Sequence, residues 1–141
     1  MRLYLVDCTP LADEKMMERA LSLLSDSRRG KAKKLRCAQK MAQSVAAGLL
    51  LTKLFGNKEI CIGEHGKPYF QSEDIHFNIS HAENWVICAV CDCEVGVDIQ
   101  PLSPVRSAVL RRCFTTSEQE WIGEDTERFT RLWTKIGRAH V

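Results

Sequence analysis

Phe77–Gln100, FNISHAENWVICAVCDCEVGVDIQ, is the stretch whose reading decides the fold. It predicts three short strands in succession. Phe77–His81 comes first, and a polar turn at Glu83-Asn84 reverses the chain. Trp85–Cys91 follows, rich in β-branched and aromatic residues. Asp92–Glu94 then turns the chain into a third strand, Val95–Gln100. Two polar features stand out at the strand ends. One is Ser80-His81; the other is Asp98, alone among Val95, Val97 and Ile99. A carboxylate in such a run is disfavoured unless it is paired or binds a metal. Small-residue turns and strand termini are also where a backbone can approach a ligand.

Upstream, Arg2–Asp7 reads as a strand stopped by Cys8-Thr9-Pro10, and Thr9-Pro10 as the start of a helix over Leu11–Leu24. Met17, Ala20, Leu21 and Leu24 supply its apolar stripe. Asp26 is the expected cap of a short basic helix reaching about Arg36. Ala38–Phe55 is the longest helix, with Ala46, Ala47 and Gly48 permitting close packing and Gly56-Asn57 ending it. Ile60–Ile62 is strand-like and leads into the loop Gly63-Glu64-His65-Gly66-Lys67-Pro68. Downstream of the quoted stretch, Pro101 and Pro104 break the sheet, and a helix is expected over Val105–Cys113. Ser117 with Glu120 has capping-box spacing for a helix to Ile122, and a last helix is expected over Thr126–Lys135.

The chain of 141 residues, 45% apolar and 27% charged, is long enough for one core and has the balance of a soluble globular protein. It carries no apolar run of membrane-spanning length, and MRLYLVDCTP does not resemble a signal peptide. Seven cysteines, an odd number, favour free thiols in a reducing compartment, and the cytoplasm is the expected location. Cys88-x-x-Cys91-x-Cys93 has the look of metal-ligand spacing, but an extended strand would put Cys88 on one face and Cys91 and Cys93 on the other. The net charge of +2 conceals a segment, Ser27–Lys58, with nine basic residues and no acidic one. Its partner is an anion: a nucleic acid, an acidic protein surface or a small phosphorylated ligand.

Five motifs occur in order: Gly66-Lys67-Pro68, Phe77-Asn78-Ile79-Ser80-His81, Gly96-Val97-Asp98-Ile99, Phe114-Thr115-x-x-Glu118 and Trp133-Thr134. Together they resemble the 4′-phosphopantetheinyl transferase superfamily, in its Sfp-type branch, over nearly the whole chain to Lys135. The resemblance implies transfer of the 4′-phosphopantetheine arm of coenzyme A to a serine of an acyl or peptidyl carrier protein, with Mg²⁺ as cofactor. It implies a monomer that engages neither nucleic acid nor membrane. Asp98, Gln100 and Glu118 are the implied metal residues. Arg28, Lys31, Ser44, Lys67, Ser80 and His81 are the implied coenzyme A contacts. Two positions depart from the pattern: Gln100 stands where Glu is common, and Gln43 where Arg is common.

The implied fold is α+β, with two similar lobes related by pseudo-twofold symmetry and an antiparallel sheet packed by helices. Residues 1–100 would form the first lobe and 101–135 the opening helices of an incomplete second, exposing apolar faces that include Phe129 and Trp133. After Lys135 the pattern requires a Lys-Glu pair, the Glu serving as general base and metal ligand. Here Ile136-Gly137 replace it, and Gly137 is expected to break the helix. Residues 136–141 resemble the translation of a sequencing-library adapter (ATC GGA AGA GCA CAC GTC), which implies a non-native tail and an inactive chain. The alternative function is a basic binding module for nucleic acid or an acidic partner, which leaves Asp98 unexplained.

Overall fold

The computed structural model describes residues 1–56, 58–63, 66–71 and 74–139, with side chains as far as Ile136. Asn57, Glu64 and His65, together with His140 and Val141 of the tail, lie outside the described residues. The architecture is α+β. It comprises two compact units, Met1–Ile99 and Gln100–Val141.

The described residues of the first unit form five strands: β1 (Arg2–Asp7), β2 (Cys61–Ile62), β3 (Pro68–Tyr69), β4 (His76–Ala82) and β5 (Trp85–Cys91). Three of them make an antiparallel sheet in the order β1-β5-β4. The central strand pairs Cys88 with Tyr4 on one side and with Ile79 on the other, so Tyr4, Cys88 and Ile79 share a face. Alternation adds Val6, Val86, Val90 and Phe77 to that face. It packs on a long helix, Ala38–Phe55, through Ala46, Leu50 and Leu51. Rings of Phe55, Phe70 and Phe77 close this core, each pair with centroids 4.9–5.1 Å apart. The turn between β4 and β5 places Glu83 at φ 49°, an uncommon conformation for a non-glycine residue. The small hairpin of β2 with β3 carries the Gly66-Lys67-Pro68 loop.

Two shorter helices, α1 (Glu14–Ser22) and α2 (Asp26–Lys33), pack on the long helix, α3, around Leu21, Leu24, Ala32 and Val45. Gly48 leaves room for that approach: a Cβ there would lie 2.8 Å from Leu24 Cδ2, so the Leu24 side chain would have to shift. The Thr9-Pro10 start opens only a 3-10 turn, Thr9–Ala12, and α1 begins after Asp13, whose carboxylate accepts the Met16 N–H at 2.9 Å. Thr9 bonds instead to Asp7 Oδ1 through both its N–H and its hydroxyl. Ser25, rather than Asp26, caps α2. Asp26 sits in the first turn, where a negative charge complements the helix dipole.

The third strand expected at Val95–Gln100 does not form. That segment has no ladder. It is held to β4 by side chains: Asn78 Oδ1 accepts the Val97 N–H at 2.9 Å, and Ser80 Oγ donates to Asp98 at 2.7 Å. Alternation puts Asn78 and Ser80 on the sheet face away from α3, so the segment is drawn toward that face instead of pairing at the strand edge.

The second unit contains α4 (Ser107–Cys113), α5 (Thr116–Ile122) and α6 (Thr126–Ala139). Its capping box is Thr115 with Glu118, two residues upstream of the Ser117-Glu120 spacing. Phe129 is buried with Phe114 and Ile122, and Trp133 packs against them. Phe129 is thus covered, contrary to the open apolar face expected of it, while Trp133 is only half-buried. The large apolar side chains most exposed among the described residues of this unit are Leu102 and Trp121. α6 also runs through Gly137, where a break was expected; one interior glycine costs only about 1 kcal/mol. No helix among the described residues is long and apolar enough to cross a membrane.

Candidate functional site

Asp98 is fixed by its neighbours in sequence and by β4. The Ser80 hydroxyl donates to Asp98 Oδ1, and one residue earlier the Asn78 amide holds the backbone of Val97. Asn78 is itself buried. Its place two residues before Ser80, on the same strand face, is the sequence signal for this role. The expectation that Val95–Gln100 forms a strand hides that signal. Oxygen donors are therefore gathered at Asp98: its carboxylate and the Ser80 hydroxyl oxygen. That chemistry fits a hard cation such as Mg²⁺, which is held through one or two carboxylates with water and phosphate oxygens completing the shell. Gln100 and Glu118 belong to the second unit.

Glu118 is engaged at the start of α5. Its Oε2 accepts the Thr115 N–H at 2.8 Å and the Thr115 hydroxyl at 2.9 Å. The backbone bond from Thr115, and then the hydroxyl bond, hold its carboxyl below the usual glutamate range.

The basic residues sort by what they touch. Arg29 is engaged structurally: Nε donates to the Leu21 carbonyl and Nη2 to the Leu24 carbonyl, both at 3.0 Å, which satisfies the end of α1. Arg28, next to it, lines a cavity of about 440 Å³ with Ser25, Thr52 and Lys58. Burial pushes its guanidinium below the usual arginine range. Lys31 is exposed on α2, and Ser44 is half-buried on α3. Lys67 lines a different cavity, about 290 Å³, with His76, Phe77 and Glu94. Gly63 N–H donates to the Lys67 carbonyl at 2.9 Å, and Gly66 takes φ 79°. Ser80 and His81 are adjacent in sequence, but the pleat sends them to opposite faces, and His81 is exposed. Arg28 and Lys67 thus line separate cavities.

Gln43, at the position where arginine is common, is buried and donates its amide to the Glu83 carbonyl at 2.7 Å. It therefore clamps the strained β4–β5 turn to α3. No local pattern announces this role, because the contact joins residues forty positions apart.

No family model matches this chain. Curated proteins do match it. The 4′-phosphopantetheinyl transferase gsp of Aneurinibacillus migulanus is 38% identical over 76 residues, covering 50% of this chain and 32% of that protein. The 4′-phosphopantetheinyl transferase Sfp of Bacillus subtilis (strain 168) is 27% identical over 139 residues, 89% of this chain and 62% of its own length. The 4′-phosphopantetheinyl transferase psf-1 of Bacillus pumilus is 28% identical over 151 residues, 95% of this chain and 65% of its own. This chain resembles the Sfp-type 4′-phosphopantetheinyl transferases. It spans about a third of the first relative and less than two thirds of the other two.

Proposed function

We propose that the chain carries the coenzyme A-binding lobe of a 4′-phosphopantetheinyl transferase, the first of two pseudo-symmetric lobes, and the opening helices of the second. The reaction moves the phosphopantetheine arm of coenzyme A to a carrier-protein serine and releases 3′,5′-adenosine diphosphate. The observation that carries this reading is the 2.7 Å bond from Ser80 to Asp98, which presents a carboxylate beside a sheet instead of leaving it in an apolar strand. Mg²⁺, when bound, would neutralise the pyrophosphate of coenzyme A.

In this reading Asp98 is the principal metal ligand and Ser80 orients it. Gln100 offers an amide oxygen with less charge than the usual glutamate. The resemblance adds Glu118 of the second unit, and its bonds to Thr115 favour a supporting place over direct ligation. Arg28, Lys31, Ser44, Lys67 and His81 hold phosphate groups of coenzyme A. The acceptor is an acyl or peptidyl carrier protein, and the enzyme works as a cytoplasmic monomer. Ile136-Gly137 stand where the general base is implied, so the side chain implied for proton removal from the acceptor serine is not at that position. A missing base removes roughly 10²–10⁴-fold in rate, and we infer that this chain does not turn over.

The test is mass spectrometry of an apo carrier protein incubated with coenzyme A and Mg²⁺. A version extended to the length of the relatives, with Lys-Glu at 136–137, is expected to add one phosphopantetheine group. The 141-residue chain is expected to add none. Binding that ignores coenzyme A and weakens steeply with salt on DNA would favour the basic-module alternative.

A further inference from the structure

We propose that Cys91, Asp92 and Cys93 form a second cation site, specific for a thiophilic divalent ion such as Zn²⁺ and chemically distinct from the carboxylate and hydroxyl oxygens of Asp98 and Ser80. The three side chains offer two sulfurs and a carboxylate oxygen, all within 4.8 Å of one another. The sulfurs of Cys91 and Cys93 are 3.3 Å apart, and Cys91 Sγ lies 3.2 Å from Asp92 Oδ1. An uninterrupted strand would send Asp92 to the face opposite both cysteines. β5 ends at Cys91, and the bend over Asp92–Cys93 brings the carboxylate round to the sulfurs. Cys88, the other cysteine of this run, is fully buried in the sheet core and takes no part.

The geometry suits a zinc-like ion better than a disulfide. Two thiolates held at about 2.3 Å on a tetrahedral ion lie roughly 3.8 Å apart, so the pair needs to open by about half an ångström. A disulfide at about 2.05 Å would require closure by more than twice that. Thiolates select Zn²⁺ or Cd²⁺ over Mg²⁺, so this site and Asp98 would not compete for one ion. Cys91 is half-buried while Asp92 and Cys93 are exposed, which leaves an entry path and room for water in the fourth position. Cys91 and Asp92 also line a cavity of about 470 Å³ together with Asp74 and Met1. Binding replaces the two thiol protons: one M²⁺ enters, two protons leave to solvent, and the complex with Asp92 carries one negative charge.

The site also has a place in the chain's path. Cys91–Cys93 lead directly from β5 to the segment that carries Asp98. An ion there would pin the start of that segment.

The experiment is titration of the reduced 141-residue chain with Cd²⁺, read by the thiolate-to-cadmium ultraviolet band, and with Zn²⁺, read by alkylation mapping. One equivalent is expected to saturate the band. Zn²⁺ is expected to protect Cys91 and Cys93 from iodoacetamide while exposed Cys37 reacts unchanged, a measurement that needs no variant. Cys91→Ser and Cys93→Ser should each weaken binding at least tenfold, and Asp92→Asn should weaken it less while keeping the band. Equal protection of Cys37, or an undiminished band in the double serine variant, would overturn the proposal. So would the absence of a saturable band.

Discussion

Gln43 and Cys88 show what single positions contribute. The Gln43 amide reaches the Glu83 carbonyl across the hairpin turn, and a part-buried hydrogen bond of this kind contributes on the order of 1 kcal/mol. Gln43→Ala is expected to lower unfolding stability by about 1–2 kcal/mol in urea denaturation, with little change in slope. An unchanged midpoint would remove the clamp from the account of the turn. Burial pushes the Cys88 thiol up to about 11 from an ordinary value of 9.0. A raised folded value means that the native state holds this proton more tightly than the unfolded chain does. The associated stability is complete below pH 9 and is lost as pH rises toward 11. Thermal melts across that window are expected to show a decline that Cys88→Ala flattens. At pH 8, Cys88 should be the slow thiol toward iodoacetamide, and Cys37 a fast one.

At the scale of elements, the start of α5 and the middle of α3 carry the clearest consequences. The Thr115 hydroxyl accepts from the Glu118 N–H at 3.4 Å while the Glu118 carboxylate reaches back, so each satisfies a donor that the helix leaves open. Thr115→Ala should cost about 1 kcal/mol, measured by denaturation of the whole chain. The folded Glu118 carboxyl lies below its unfolded value of 4.5. Its contribution is therefore present above that pH and lost as pH falls through the folded value, and Glu118→Gln should remove that part of the acid sensitivity. In α3, Gly48 leaves the space into which Leu24 fits. Gly48→Val would overpack this contact and is expected to destabilise by about 1–3 kcal/mol, although valine is the better helix former. A melt at or above the parent temperature would show that Leu24 yields freely.

For the whole molecule, the division after Ile99 makes a prediction about folding. Met1–Ile99 has a sheet with a helix-covered face and two connected apolar clusters on α3. Gln100–Val141 has three short helices around Phe114, Ile122 and Phe129. Chains of about 40 residues rarely fold without a disulfide, a metal or a partner. Residues 1–99 expressed alone should unfold cooperatively, and residues 100–141 alone should show weak helicity and no cooperative melt. The catalytic prediction belongs to the same scale because it needs the enzyme at the length of its relatives. There, Asp98→Ala is expected to abolish phosphopantetheine transfer while circular dichroism stays near the parent's. Turnover close to the parent's would remove Asp98 from the metal site.

The sequence by itself determined β1, β5 and α3 to the residue, because a β-branched and aromatic run, and a long run permitting close packing with a glycine stop, are local signals. It also determined the likeness to the transferases, since five ordered motifs are legible without any folding. Tertiary structure alone decided where Val95–Gln100 goes, because the side chains of Asn78 and Ser80 compete with the backbone ladder for that segment. The opposite faces of Ser80 and His81 and the Thr115-x-x-Glu118 capping box are local patterns already present in the sequence, but tertiary structure alone made Gln43 a clamp. Burial of Phe129 was likewise invisible in the sequence. Each of these tertiary outcomes depends on a partner brought close by the folded backbone, and a periodicity records only that a side chain is apolar or polar, never which partner it meets.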